Sequence, residues 1–200
     1  EMVYARAAAS SPVEENKATE DQTDARFQAS QPSDAVPANT ISADLFYEPS
    51  YDTVLRQMIE WIVTREGPVL DTVLARRIAR AHGFQRTGSR IQERIEKVAQ
   101  QLFKATEEIG GTFYWPREME PCKEIPFRRP ADDDSARSVE EICTAELLSL
   151  ARWVLHRGLS ERESVVAMAR KLGLQRLREA SRVRLENALL MARESPADSE

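Results

Sequence analysis

The sequence predicts a mainly α fold with a small β-hairpin wing, arranged as tandem winged-helix or helix-turn-helix repeats. Three observations predict it. Apolar residues recur at helical spacing over several stretches of 10–15 residues. Gly-Gly at 110–111 separates two short runs, the second of them aromatic, which is a hairpin signal. Blocks from the first half return about 90 residues later.

Residues 1–44 are rich in Ala, Ser, Asp, Glu, Gln and Pro. So few large apolar groups cannot offset the entropy of ordering, so a disordered acidic linker is expected there. Order is expected from Leu45-Phe46-Tyr47. Asp52 can cap a first helix, with Val54, Met58, Trp61 and Ile62 inward, to about Arg65. Gly67-Pro68 breaks it, and Val69-Leu70 suits a short extended link. Asp71 caps a second helix, with Leu74, Ile78 and Ala81 on one face. Gly83 follows its last apolar position, where a helix end needs φ > 0. Ser89 and Gln92 have capping-box spacing, so a third helix begins there, with Ile91, Ile95, Val98 and Leu102 inward. The hairpin then completes a winged-helix unit over 45–120.

Pro121, Pro126 and Pro130, following Pro116, and Asp132-Asp133-Asp134 mark 121–137 as a proline-rich linker. A second helix-turn-helix unit is expected over 138–193. Capping boxes at Ser138/Glu141 and Ser160/Glu163 start its helices, and Gly158 and Gly173 end them. Trp61-Ile62-Val63-Thr64-Arg65 matches Trp153-Val154-Leu155-His156-Arg157 at an offset of 92. Ala79-Arg80-Ala81-His82-Gly83 matches Ala169-Arg170-Lys171-Leu172-Gly173 at 90. Ser89-Arg90-Ile91 matches Ser181-Arg182-Val183 at 92. Trp61 and Trp153 are expected in the cores. Residues 194–200 read as a disordered tail.

Net charge is −5 with a pI near 5.3, which argues against indiscriminate nucleic-acid binding. The acidity lies in the tail. Residues 1–50 hold three basic and nine acidic side chains, whereas 51–120 hold eleven and ten. Two cysteines without a C-x-x-C, and two histidines, make zinc improbable and fit a reduced, cytoplasmic setting. No apolar run is long enough for a membrane span, and no secretory signal layout is present. The first residue is Glu rather than Met, which points to a piece of a longer protein. Phosphate-loop, zinc-protease and nucleophile-elbow motifs are absent, so neither catalysis nor a cofactor is expected.

Glu66-Gly67-Pro68-Val69, Ala75-Arg76-Arg77-Ile78-Ala79, Gly83 to Ile91 and Phe113-Tyr114-Trp115-Pro116 together resemble a known family. It is the domain of unknown function found at the C-terminal end of large bacterial helicase-related proteins. The resemblance implies a DNA-linked parent protein and supplies no role for this module.

The candidate nucleic-acid-binding residues are Arg86, Thr87, Ser89, Arg90, Arg94 and Lys97, at the turn and along the third helix. Arginine there can reach phosphates or guanine edges, and Thr87 and Ser89 can join the helix N-terminal amides at a phosphate. The alternative is that Ser89 only caps and the arginines pair with Glu93, Glu96, Glu107 or Glu108. Base stacking by Phe113, Tyr114 and Trp115 competes with burial of the same side chains. The expected function is an accessory, non-catalytic module that binds or positions DNA weakly and salt-dependently. The alternative is a module docking within its parent or onto a protein partner.

Overall fold

The computed structural model describes residues 25–121, 123–174 and 176–194. The expected disorder of 1–24 and of the tail from 195 lies outside them. The fold is mainly helical with a small sheet.

The first helix, α1 (Asp52–Glu66), buries Leu55, Met58, Ile59, Ile62 and Val63. That stripe is turned slightly from the expected one, which leaves Trp61 at its edge, half-buried. Arg65, one turn on, lies over the indole at 3.5 Å and covers what the core does not. Trp153 repeats the arrangement under Arg157 at 3.7 Å. Neither tryptophan is the core anchor expected of it. The large buried aromatics are Phe46, Phe113, Tyr114 and Trp115.

A two-residue strand, Val69–Leu70, leads into α2 (Asp71–Ala81), and α3 (Ser89–Leu102) follows a short turn. Lys104–Glu108 and Gly111–Trp115 form the hairpin. Its second strand is central. It pairs antiparallel with Val69–Leu70 on one side and with Lys104–Glu108 on the other. Burial of Phe113, Tyr114 and Trp115 follows, and none is free to stack on a base. Of the two turn glycines only Gly111 has positive φ, 131°. A Cβ there would lie 2.9 Å from Asp71 Oδ1. The glycine lets Asp71 Oδ2 accept the Thr112 N–H at 3.2 Å.

Segments expected to be linkers belong to the folded body. Arg26–Phe27 pairs in parallel with Arg129–Pro130. Phe27 is buried beneath the guanidinium groups of Arg128 and Arg137, 5.4 and 4.1 Å from its ring, and Val36 and Ile125 enter the first core. The polar composition of 25–44 serves buried charge. Glu66 is 1% exposed, and its Oε1 accepts Ser30 N–H and Oγ–H at 2.5 and 2.6 Å. Arg77 pairs with its other oxygen. A buried carboxylate needs such donors, so a segment poor in apolar groups can still be ordered by them. Asp132, expected in a solvated acidic run, accepts from Ser135 N–H at 2.8 Å and Gln28 Nε2–H at 3.0 Å.

The deepest charge of this kind is Glu146, fully buried. Arg128 donates to it from N, Nε and Nη2 at 2.9, 3.3 and 2.8 Å, and Arg137 from Nη1 and Nη2 at 2.9 and 2.6 Å. Burial alone would raise its pKa. Hydrogen bonds and charge from Arg137 and Arg128 outweigh that and hold it below the usual carboxylate range. Arg128 also donates to the Glu66 and Gly67 carbonyls at the end of α1, at 2.8 and 3.1 Å.

The second half consists of α4 (Thr144–Leu155), α5 (Glu161–Lys171) and α6 (Glu179–Glu194). The Ser160/Glu163 capping box forms on α5. The Ser138/Glu141 box also forms, but on a short 3-10 turn, and α4 starts only at Thr144. The bounds of α5 lie 90 residues after those of α2, and α6 starts 90 after α3. Burial agrees: Ile91, Ile95, Val98 and Ala99 correspond to Ser181, Leu185, Ala188 and Leu189. The Ser-Arg match at 92 is therefore two residues out of register. Ser181 sits inward at the Ile91 position, and its Oγ donates to Glu140 Oε1 at 2.8 Å.

Candidate nucleic-acid interface

The turn between α2 and α3 is closed by backbone geometry that needs glycine. Gly83 has φ 81°, its N–H donates to the Arg80 carbonyl at 2.9 Å, and Phe84 N–H reaches back to the Ala79 carbonyl at 3.0 Å. That pairing satisfies carbonyls the ended helix leaves open. The expected Ser89/Gln92 box does not form. Gly88 is the capping residue, Ser89 is the first residue of α3, and Gln92 Nε2 donates to Glu96 Oε1 at 2.7 Å instead.

Behind the turn lies an aromatic cluster that spacing does not reveal. Phe46 meets Tyr47, His82 and Phe84 edge to face at 5.0–5.2 Å between centroids. His82 is buried rather than merely sitting at a helix end. Its Nδ1 faces the Ile78 carbonyl at 2.7 Å, an acceptor only, so Nδ1 carries the proton and donates. In the neutral ring, Nε2 accepts from the Tyr51 O–H at 2.9 Å and shares that one proton with the Thr40 carbonyl at 3.1 Å. Tyr51 O also accepts the Ser42 N–H at 2.9 Å, which ties down residues 40–51. Burial lowers the His82 pKa, partly opposed by the Ile78 hydrogen bond. The one signal in the sequence was Leu45-Phe46-Tyr47, where order was expected to begin.

The six candidate residues do not share one fate. Arg94 is turned inward to residues 46–52: Nε donates to the Phe46 carbonyl at 2.6 Å, and Nη2 to the Glu48 carbonyl and Asp52 Oδ1, both at 2.8 Å. It clamps the start of α1. Arg90 is exposed, and its guanidinium lies over the Tyr47 ring at 4.8 Å. Arg86, Ser89 and Lys97 are exposed and Thr87 half-exposed. Among the described residues, Arg86, Arg90 and Lys97 have no carboxylate partner. Glu93 stands between Arg90 and Lys97 on the same outward face.

The hairpin does not stand free beside this face. Glu108, at the end of its first strand, accepts Thr144 N–H at 3.0 Å and Oγ1–H at 2.6 Å, and Arg184 Nη2–H at 2.8 Å. The hairpin thus caps α4, while the Ile109 side chain at its tip is fully exposed.

Cys143 is buried, and burial foremost, then Glu146, pushes its thiol up to about 12, so it is not a nucleophile at neutral pH. Among the described residues no His, Cys, Asp and Glu side chains group to hold a metal ion, and no helix is long and apolar enough to cross a membrane.

Residues 44–93 match the model of a family described as Protein of unknown function (DUF3320). The match runs from the aromatic cluster through α2 and the turn into α3. It includes Arg86, Thr87, Ser89 and Arg90 and stops before Arg94 and Lys97. No curated protein and no solved structure matches the chain.

Proposed function

We propose that this chain is a non-catalytic module that binds or positions DNA, with residues 45–120 acting as a winged-helix unit and α3 as its groove-facing helix. The observation that carries the reading is the outward face of α3 and its turn. Arg86, Arg90 and Lys97 are exposed there without a carboxylate partner among the described residues. Helix, short strand, helix, turn, helix and hairpin follow in the order such units have. Arg94 leaves the candidate set, because its donors are spent on residues 46–52. With the wing docked on α4, contact is carried by the turn and helix alone. The resemblance of the Gly83–Ile91 block implies a helicase-related parent, and an accessory role beside such a motor suits a weak cationic surface.

The test is a titration of the full chain with labelled single-stranded, duplex and forked DNA at two salt concentrations. Binding should be weak, and raising salt should weaken it steeply. Replacing Arg86, Arg90 and Lys97 by Ala should abolish measurable binding and leave the melting temperature in place. Equal binding by wild type and variant, or none by either, would transfer the function to protein docking.

A further inference from the structure

The register of 90 residues allows α3 and α6 to be compared position by position on their outward faces. Arg90, Glu93, Lys97, Gln100 and Gln101 are exposed on α3. Their counterparts on α6 are Ala180, Val183, Asn187, Leu190 and Met191, also exposed. Val183, Leu190 and Met191 are 44%, 53% and 45% exposed. Where the first half turns only charge and amide to solvent at these positions, the second turns four apolar side chains and one amide.

Ala180, Val183, Asn187 and Leu190 are spaced three, four and three. This is the stripe with which one α-helix packs along another. Solvent alone offers no reason for it, since leaving these side chains wet forgoes the gain from burial. Beside it, Val166 of α5 is 40% exposed, next to a groove lined by Val165, Leu177, Arg182 and Glu186.

We infer that this face of α6 is a docking surface for a second copy of the chain, with α6 packed against its own symmetry mate. Two observations select the copy over another occupant. Asn187 lies in the middle of the apolar stripe, and a polar group buried there needs a hydrogen-bonding partner. A twofold axis through that point supplies one, the same amide on the mate, and a lone Asn in such a seam fixes register. The flank carries both signs, Arg182 and Glu186, which suits a surface facing itself better than a strongly acidic or basic partner. This inference does not depend on DNA binding by α3.

Sedimentation of the full chain should show the mass rising from one chain to two with concentration. Leu190→Asp with Val183→Asp should weaken association by more than about tenfold. Both positions are exposed, so the circular dichroism and melting of the variant should stay near wild type. In a Cys122→Ser background, Asn187→Cys should form a disulfide-linked dimer on mild oxidation. Lys97→Cys, at the matching place on α3, should not. A single-chain mass at every concentration, a dimer indifferent to the two aspartates, or equal cross-linking at both positions would overturn the inference.

Discussion

Arg94 and Arg184 occupy the same place in the two halves, one turn into the third helix of each, and both reach the start of the first helix. Arg94 donates to carbonyls at 46 and 48 and to Asp52 within its own half. Arg184 donates to the Ile142 carbonyl, 2.8 Å away, but its carboxylate is Glu108, from the hairpin of the other half. The difference teaches that a repeated interior device is kept while its acceptors change. In the second half the same arginine has become part of the joint. The outward faces, free of that interior constraint, differ: α3 exposes Arg90, Glu93 and Lys97 where α6 exposes Ala180, Val183 and Asn187.

The joint offers the largest effect. Glu146→Ala should leave Arg128 and Arg137 buried without a counter-charge and cost about 3–5 kcal/mol in urea unfolding. Because Arg128 also holds the end of α1, the loss should be felt in both halves. A variant within about 1 kcal/mol of wild type would show that the cluster does not join them.

Next in size is the pair of clamps. Arg94→Ala and Arg184→Ala should each cost about 1.5–3 kcal/mol, the range for hydrogen bonds made by charged groups. Equal losses would show that the two arginines do the same work. A larger loss for Arg184→Ala would measure what the contact with Glu108 adds. Arg94→Ala should retain DNA affinity once folded, unlike the Arg86, Arg90 and Lys97 substitutions.

The smallest effect separates the halves by pH. His82 corresponds to Leu172, which is also buried. His82 has its pKa lowered in the folded state, so below about 6.5 the unfolded chain takes up the proton more readily. Its share of stability is therefore full above pH 6.5 and falls as pH drops from there toward the folded-state value. Thermal melts of wild type between pH 8 and 5 should fall on acidification, and His82→Leu, which copies the second half, should flatten the curve. A slope unchanged in the variant would assign the acid sensitivity elsewhere.

Much of this was legible in the sequence. The periodicity of α1 to α3, the helix ends at Gly83 and Gly173, and the hairpin at Gly110-Gly111 follow from local rules, and local rules decide them. The fate of Arg94 was not legible. Two of its three acceptors are backbone carbonyls more than forty residues away, and a carbonyl carries no residue identity. The order of 25–44 was hidden for a related reason: Ser30 matters because Glu66 is buried, and composition does not record burial. The register of α6 was misread because Ser-Arg was matched by identity, whereas the inward stripe beginning at Ser181 decides which face packs. In the candidate site, Arg86, Thr87, Ser89, Arg90 and Lys97 were recognised as surface residues, and the aromatic cluster under them was not.

The parallel pairing of Arg26–Phe27 with Arg129–Pro130 makes one of the two lobes discontinuous along the chain. Phe27 lies beneath the two arginines that hold Glu146 of α4, so the lobe built from 45–115 is nested between two pieces of its neighbour. Cutting the gene before Leu45 would not release a neat C-terminal fragment. It would take the Phe27 ring from under Arg128 and Arg137 and strip Glu66 of its Ser30 donors. A minimal fragment that behaves like the whole should therefore begin by Ala25, however linker-like the residues that follow it look.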